Sequence, residues 1–224
     1  MGYVLAMEGF TKKGLRLLGA LPGYDTERFA AERDDYQRLL AEPVRAFVAA
    51  LGPRLASVVS PGIEWAARTN GSIAPINNDR RFRPDAEPYR DHLLVSFWEG
   101  PSRRTAPTLW VRIGAKDVGF ASGIAPADVG TWREVIDGEA GPGIAAAIDA
   151  VVAATGAGVV GADLKRVPDP YAADHPRADL LRHKWLQVRW LADVDASADT
   201  LVADCAEQLA IAGDLHRRLV ATFS

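Results

Sequence analysis

The chain is poor in several features that mark specialised proteins. A single cysteine, Cys205, excludes an intramolecular disulfide and fits a reducing compartment. No window approaches the roughly 20 apolar residues that a membrane-spanning helix needs. Residues 1–10 lack the basic start and the longer apolar run of a signal peptide. We therefore expect a soluble, cytoplasmic protein with no membrane partner.

Charge of one sign is not in large excess either. The chain has 26 Lys and Arg against 29 Asp and Glu, with a net charge of −3. A nucleic-acid-binding domain usually carries a basic footprint, so this balance disfavours such a partner. The 224 residues are 48% hydrophobic and 25% charged, an ordinary globular composition. With no Pro-, Ser- and Gly-rich linker, we predict one domain over residues 1–224.

Motifs for metals and cofactors are missing from the sequence. The four histidines show no metal-ligand spacing, and His183 and His216 are interpreted as helix-surface residues. Residues 156–161 fit the pattern GxGxxG, but they precede a predicted strand instead of following one, so the dinucleotide interpretation fails. We predict neither a metal nor a cofactor, and we interpret Cys205 as a core thiol.

The two ends of the chain have helical periodicity. Residues 12–21 predict a helix, Asp25 or Thr26 caps a second, and a third carries Val44, Phe47, Val48 and Leu51 before Gly52-Pro53 ends it. Residues 127–136, 143–154 and 176–184 also predict helices. One long helix capped by Ser197 is predicted to close the chain, with an apolar stripe that runs from Leu201 to Leu219.

The middle of the chain predicts strands. Residues 93–98, 109–113, 118–124 and 186–190 alternate or are β-rich, and 159–164 is a shorter candidate. Gly119 and Gly123 leave room for a close backbone approach or a bulge. Four tryptophans fall on these strands and are interpreted as packing residues: Trp98, Trp110, Trp185 and Trp190. We predict an α+β fold with a mainly antiparallel sheet and helices at both ends of the chain.

The first polar stretch that points to function is residues 77–92. It places arginines, aspartates, a tyrosine and a histidine just before a strand, where loops often carry function. Guanidinium groups suit carboxylate or phosphate. The alternative is a solvated loop held by Arg–Asp pairs. Its candidate site residues are Asp79, Arg80, Arg81, Tyr89 and His92.

The second polar stretch is residues 163–176. Lys165 at a strand end suits an anion as a point charge, and His175 precedes a proline at a predicted helix entry. The alternative is a helix cap by Asp174 with a surface histidine. Lys165, Arg166, Asp174 and His175 are its candidate residues.

The two stretches, "RFRPDAEPYRDH" and "LKRVPDPYAADHPRADLLRHK", resemble the bacterial family named domain of unknown function 2461. The resemblance covers most of the chain, from about Phe10 to Trp190. It implies a fold and a site location but no activity. The matching positions are Asp79, Arg81, Phe82, Asp85, Pro88, Tyr89 and His92, then Lys165, Arg166, Asp174, His175, Pro176, Leu180 and Lys184.

The chain also departs from the family pattern, which identifies it as a divergent member. The family usually has basic residues at the positions of Pro75, Asn78 and Ala86, and an Asn-rich stretch ending in Trp-Phe near residues 24–29. If the family binds an anion with those basic groups, this chain has lost part of the set. Arg80 is the candidate replacement.

Three hypotheses follow from the two stretches. In the first, they converge into a pocket for an anionic small molecule, in a binding protein or an enzyme, with Asp79 or His175 as acid or base and Tyr89 as a donor. In the second, the protein is a non-enzymatic module for a protein or nucleic acid. In the third, Asp79, Arg81, Asp85, Lys165 and Asp174 form a buried structural ion network.

Overall fold

The computed structural model describes residues 9–81, 85–161 and 164–223. The chain begins with a series of short helices that run into one long helix. They are α1 (Lys12–Ala20), a 3-10 turn (Leu21–Gly23), α2 (Thr26–Ala31), α3 (Arg33–Tyr36), a π-helical turn (Gln37–Ala41) and α4 (Glu42–Val58). Thr11 caps α1 and Asp25 caps α2, each by accepting a backbone N–H with its side chain.

A five-stranded antiparallel sheet occupies the middle of the chain, as predicted. Its strands lie in the order β1-β2-β3-β5-β4. Residues 64–77 run beside β1 as an irregular edge held by isolated bridges. The strands are β1 (His92–Trp98), β2 (Thr108–Gly114), β3 (Val118–Ile124), β4 (Gly158–Val160) and β5 (Leu186–Ala192).

The remaining helices follow β3, β4 and β5. Asp128 caps the first of them by accepting from the Thr131 N–H, and Gly156 ends the second in the left-handed conformation with φ 69°. Among the described residues, no helix combines the length and the apolar character needed to cross a membrane. These helices are α5 (Val129–Asp137), α6 (Gly141–Thr155), α7 (Ala178–Leu181), α8 (Leu201–Ile211) and α9 (Gly213–Phe223).

The core lies between the helices and one face of the sheet, which we call the core face. The large buried side chains of α4, α6, α8 and α9 pack against aliphatic and aromatic residues that alternate along the strands. Because side chains alternate across a strand, the residues between them form the opposite, open face. The core face consists of Leu93, Val95, Phe97, Leu109, Val111, Ile113, Val118, Phe120, Ile124, Leu186, Val188 and Trp190.

The predicted end of the third long helix at Gly52-Pro53 was wrong, since α4 continues to Val58. Pro53 removes only one backbone donor, and buried Leu51 and Leu55 on either side hold the helix against the core. Gly52 faces Trp65 so closely that a Cβ there would lie 2.3 Å from its ring. Glycine at this position therefore serves helix packing.

The predicted single closing helix was also wrong in two respects. It divides at Ala212 into α8 and α9, and the second part starts at Gly213, a poor helix former. Ser197 is not its cap, because α8 starts at Leu201 and the Ser197 hydroxyl donates to Asp195 instead, at 2.7 Å. The apolar stripe still continues through both helices and stays buried.

Candidate functional site

The open face of the sheet contains a trough that runs along β3. Gly119 and Ala121 point away from the core face, between larger side chains of β2 and β5. The register places Arg112, Gly119 and Leu191 in one row, and Trp110, Ala121 and Arg189 in the next. Small residues on the central strand thus form a floor with a wall on each side, which we call the groove.

The groove has the size of a small-molecule site. Its volume is about 740 Å³, and its lining combines apolar with polar side chains. Two of its lining residues, Phe120 and Trp190, belong to the core, while Leu191 at its rim is 64% exposed. The lining side chains include His92, Leu94, Trp110, Arg112, Gln187, Arg189 and Leu191, with Thr155 and Gly156 beside β5.

Arg189 is the cation best placed to meet a ligand in the groove. Its Nε donates to the Gln187 side chain, and its guanidinium lies over the Trp185 ring at 5.9 Å. Within the described part of the chain, no carboxylate pairs with it. The positive charge therefore faces solvent beside the groove.

A chain of ionic contacts lies at the other end of the groove. The Nδ1 atom of His92 lies 2.6 Å from Asp91 Oδ1, while Asp91 Oδ2 lies 3.4 Å from Arg112 Nη2. Arg112 Nη1 donates to Asp117 at 2.7 Å. The hydrogen bond with His92, supported by Arg112, lowers the pKa of Asp91. This chain of contacts orients the imidazole, whose ring lines the groove.

The described parts of the predicted stretch, residues 77–81 and 85–92, pair with each other beyond the start of β1, and we call these two arms the hairpin. Asn77 pairs with Tyr89, and the Asn78 N–H donates to the Pro88 carbonyl at 2.9 Å. Tyr89 is buried and stacks on Phe29, with ring centroids 4.3 Å apart. Only His92 of the predicted residues reaches the groove, while Asp79, Tyr89 and His92 line a neighbouring recess of about 620 Å³.

Asp79 and Arg81 form an exposed ion pair within the hairpin. Arg81 Nη2 lies 2.6 Å from Asp79 Oδ2, and the two side chains are 79% and 53% exposed. Hydrogen bonds from the Arg81 side chain and backbone lower the pKa of Asp79 to about 2. Asp79 is therefore a carboxylate at neutral pH. Arg80 is exposed on the same hairpin.

The predicted stretch 163–176 lies at the opposite end of the sheet. Residues 164–185 lead into Leu186, which pairs with Ile124, whereas the hairpin leads into His92, which pairs with Gly114. The two stretches thus do not meet in one pocket within the described residues. Lys165, Arg166 and Asp174 are exposed.

His175 is occupied by local contacts. Its Nδ1 atom accepts the Arg177 N–H at 3.0 Å, and its Nε2 atom lies 3.2 Å from Asp137 Oδ1. The Arg177 side chain donates to the carbonyls of Ile136 and Asp137. This geometry ties the segment to the end of α5.

The structure corrects the hypothesis of a buried ion network. The five residues assigned to it are exposed, and Asp79 and Arg81 pair inside one hairpin. Surface ion pairs of this kind contribute little to stability because water screens them. Phe82, Arg83 and Pro84 in the first predicted stretch, and Asp163 in the second with its neighbour Ala162, lie outside the described residues.

The interpretation of two histidines as surface residues was wrong. His216 on α9 is fully buried, and its Nε2 atom lies 3.2 Å from Glu99 Oε2. His183 is 9% exposed and packs beside Gly161. The predicted helix 176–184 is only Ala178–Leu181 in the structure, so His183 lies beyond its end. A helical pattern also does not show which polar position is covered by a distant segment. Cys205 is a buried thiol, as predicted.

Metal ligands do not cluster in the described residues, where no group of three or more His, Cys, Asp or Glu side chains is arranged to hold a metal ion. Trp190 packs on Phe120 in the core, with ring centroids 5.8 Å apart, as expected for a packing residue. Trp98, Trp110 and Trp185 alternate with core residues and so lie on the open face, where each is partly exposed.

The fold and the groove define an α+β protein with an antiparallel sheet, helices on one face and a candidate ligand site on the other. The chain belongs to the family described as conserved hypothetical protein (DUF2461), whose model matches residues 25–217. The resemblance carried by the two polar stretches is thereby confirmed over most of the chain. No curated protein matches this sequence.

Sequence reasoning missed the groove because its floor has no conspicuous side chains. Gly119 and Gly123 were noted as places for a close backbone approach, and that signal was correct for Gly123, where a Cβ would lie 2.0 Å from the Leu186 carbonyl oxygen. A stronger signal is that the open-face positions of β3 hold glycine or alanine, while the residues paired with them on β2 and β5 are larger. Register is needed to recognise it.

Proposed function

We propose that the groove binds a small molecule that carries a flat ring and an anionic group, either carboxylate or phosphate. One observation supports this above all others: Trp110 and Arg189 occupy the same row on opposite sides of Ala121. Neighbouring strands lie about 4.8 Å apart, so the two walls are separated by about 10 Å. That gap accommodates a flat ring between the walls.

The chemistry of the two walls fits such a ligand. An indole face stacks on another ring with a gain of about 0.5–1.5 kcal/mol beyond simple burial. A guanidinium binds carboxylate or phosphate through paired, charge-assisted hydrogen bonds. The volume of about 740 Å³ falls within the range typical of small-molecule sites. Ring stacking and anion binding can therefore act together.

Of the predicted hairpin residues, the proposed site includes only His92. The others lie on the neighbouring surface: Asp79, Arg80, Arg81 and Tyr89. Lys165, Arg166, Asp174 and His175 lie outside the site because they are at the other end of the sheet. We propose binding and assign no reaction. We also propose a bacterial, cytoplasmic protein, on the basis of the family resemblance and the single cysteine.

Calorimetric titration with naphthoate tests the proposal, because naphthoate combines a flat ring with one carboxylate. Naphthalene methanol has the ring without the charge, and acetate has the charge without the ring. We expect naphthoate to bind more tightly than either. Arg189→Gln should weaken naphthoate at least about tenfold, because a hydrogen bond to a charged group is worth about 1.5–3 kcal/mol. Trp110→Leu should weaken naphthoate and naphthalene methanol alike.

Arg54→Gln is the matched control, since Arg54 is exposed on α4, in the helical layer on the core side of the sheet. It should leave naphthoate binding unchanged. Equal losses in Arg54→Gln and Arg189→Gln would contradict the proposal. A nucleotide and a short single-stranded DNA complete the panel, because bases also stack on tryptophan. Tighter binding of the DNA than of the nucleotide would favour a nucleic-acid partner instead.

A further inference from the structure

We propose that the natural ligand of the groove is elongated and carries a second acidic group, which Arg90 and His92 bind at the end far from Arg189. This inference rests on the proposed function of the groove. It adds a second binding point and so narrows the ligand class to molecules with acidic groups at both ends of a flat body.

The positions of the two side chains support this second point. His92 and Leu94 alternate with the core residues Leu93 and Val95 and so belong to the open face, and Arg90 precedes His92 by two positions, next to the buried Tyr89. The Arg90 N–H donates to the Ile76 carbonyl at 2.9 Å, which continues the strand geometry beyond β1. His92 lines both the groove and the recess of about 620 Å³ that Arg90 also lines. The two cavities therefore meet at His92.

Arg90 is available for a ligand, whereas Arg112 is not. Arg112 contacts both Asp91 and Asp117. Arg90 forms no ion pair in the described part of the chain, and its Nε atom is buried there without a hydrogen-bond partner. A buried donor left without a partner is unfavourable, and an anionic oxygen would satisfy it.

The carboxylates near Arg90 do not cancel the positive charge of its guanidinium. Asp79 pairs with Arg81 in the hairpin. Asp91 is held by His92 and Arg112, so its charge is shared between two partners. Asp85 and Glu87 also line the recess but are exposed, so water screens them. An acidic group that enters from the groove meets His92 first and Arg90 next.

The distance between the two binding points sets the shape of the ligand. His92 on β1 is three strands away from Arg189 on β5, and the register offsets the two residues by four positions along the strand direction. With strands about 4.8 Å apart and a rise of about 3.4 Å per residue, the two Cα atoms are about 20 Å apart. The long Arg189 side chain and the imidazole shorten the gap between the charged groups. A single ring with one acid is too short to occupy both points.

Calorimetric titration with two matched probes tests this inference. Biphenyl monocarboxylate carries one acid, and biphenyl dicarboxylate carries one at each end. In the unaltered protein, the diacid should bind at least about tenfold more tightly than the monoacid, because one additional charge-assisted hydrogen bond strengthens binding by about that factor. Arg90→Gln should remove this gain and leave the monoacid unaffected. His92→Gln provides a second test if Arg90→Gln does not fold, and Arg54→Gln should keep the full gain.

Each outcome has one meaning. A diacid advantage that disappears in Arg90→Gln or His92→Gln supports the second binding point. Equal binding of both probes, with the monoacid still dependent on Arg189, overturns this inference and leaves the proposed function standing. Failure of both probes to bind the unaltered protein, together with no naphthoate binding, rejects the proposed function and this inference with it.

Discussion

The two faces of the sheet share the same backbone but have opposite compositions. The core face presents large apolar side chains that are almost fully buried, for example Val95, Phe97 and Leu109. The open face presents glycine and alanine on its central strand, with tryptophan, arginine and histidine around them. One face thus supplies the burial that holds the fold, and the other keeps space and charge available. The comparison separates stability from binding within the same strands.

Two leucine truncations test this separation most strongly. Leu109→Ala removes a side chain with no exposed surface on β2 and should lower the free energy of unfolding by about 2–5 kcal/mol. Leu191→Ala removes a side chain that is 64% exposed on β5 and should change it by no more than about 0.5 kcal/mol. Urea denaturation of both variants measures the difference. Equal losses would show that the open face is also covered in solution.

A second prediction concerns the core side and pH. Burial lowers the pKa of His216 from its ordinary value of 6.5, although the Glu99 carboxylate opposes the shift. Because the folded pKa lies below the unfolded one, the unfolded chain takes up the proton first as the pH falls. The free energy of unfolding should therefore decrease below pH 6.5.

Denaturation at several pH values from neutral to mildly acidic measures this effect in the unaltered protein and in His216→Gln. A single group contributes at most about 1.4 kcal/mol per pH unit. The variant should lose that part of the slope, while its stability at neutral pH falls because the fit with Glu99 is lost. An identical slope in both proteins would exclude His216 as the responsible group. Leu191→Ala keeps His216 and should therefore retain the slope of the unaltered protein.

A third prediction sharpens the comparison from the open face. Ala121→Leu places a larger side chain on the floor of the groove, between Trp110 and Arg189. It should weaken naphthoate binding at least about tenfold, the effect of losing 1.4 kcal/mol of binding energy. Because Ala121 is only 5% exposed between its neighbours, the larger side chain must displace them, and stability should fall by about 1–3 kcal/mol, as in other overpacked sites. A folded variant with unchanged affinity would place the ligand elsewhere.

The smallest effect is expected for Arg81→Ala. The Arg81–Asp79 pair is exposed on the hairpin, so its removal should leave the thermal midpoint nearly unchanged. The pKa of Asp79 should return toward its ordinary value of 3.8, because the Arg81 hydrogen bonds hold it at about 2. Carbon-13 NMR of the Asp79 carboxyl measures that change. A sharp loss of stability would restore the structural role first considered for this residue.

The strands could be predicted from the sequence because each depends on local alternation. Residues 109–113 show this most clearly, because buried aliphatic side chains alternate with the partly exposed Trp110 and Arg112, as in a strand with one buried face. The same pattern did not reveal that Trp110 and Arg189 would lie on either side of Ala121. That arrangement depends on the pairing of β3 with two other strands, one of them more than sixty residues away along the chain.

Polar stretches were the most visible signals, and they gave only part of the candidate site. Of the predicted residues, His92 lies beside the groove, while Lys165 and Asp174 lie at the other end of the sheet. The reason is topological, because residues next to strand ends converge only when those ends share one edge. His216 shows the same limit inside the core, where its cover comes from Glu99, distant in sequence.

The single cysteine also has a practical consequence for work on the groove. Cys205 lies on α8 with no exposed surface. Burial also raises the pKa of its thiol, so the thiol stays protonated and alkylating reagents do not reach it. The unaltered protein should therefore not react with thiol reagents. A cysteine introduced by Ala121→Cys would be the sole reactive thiol, and the rate at which a maleimide modifies it would report directly whether a molecule occupies the groove.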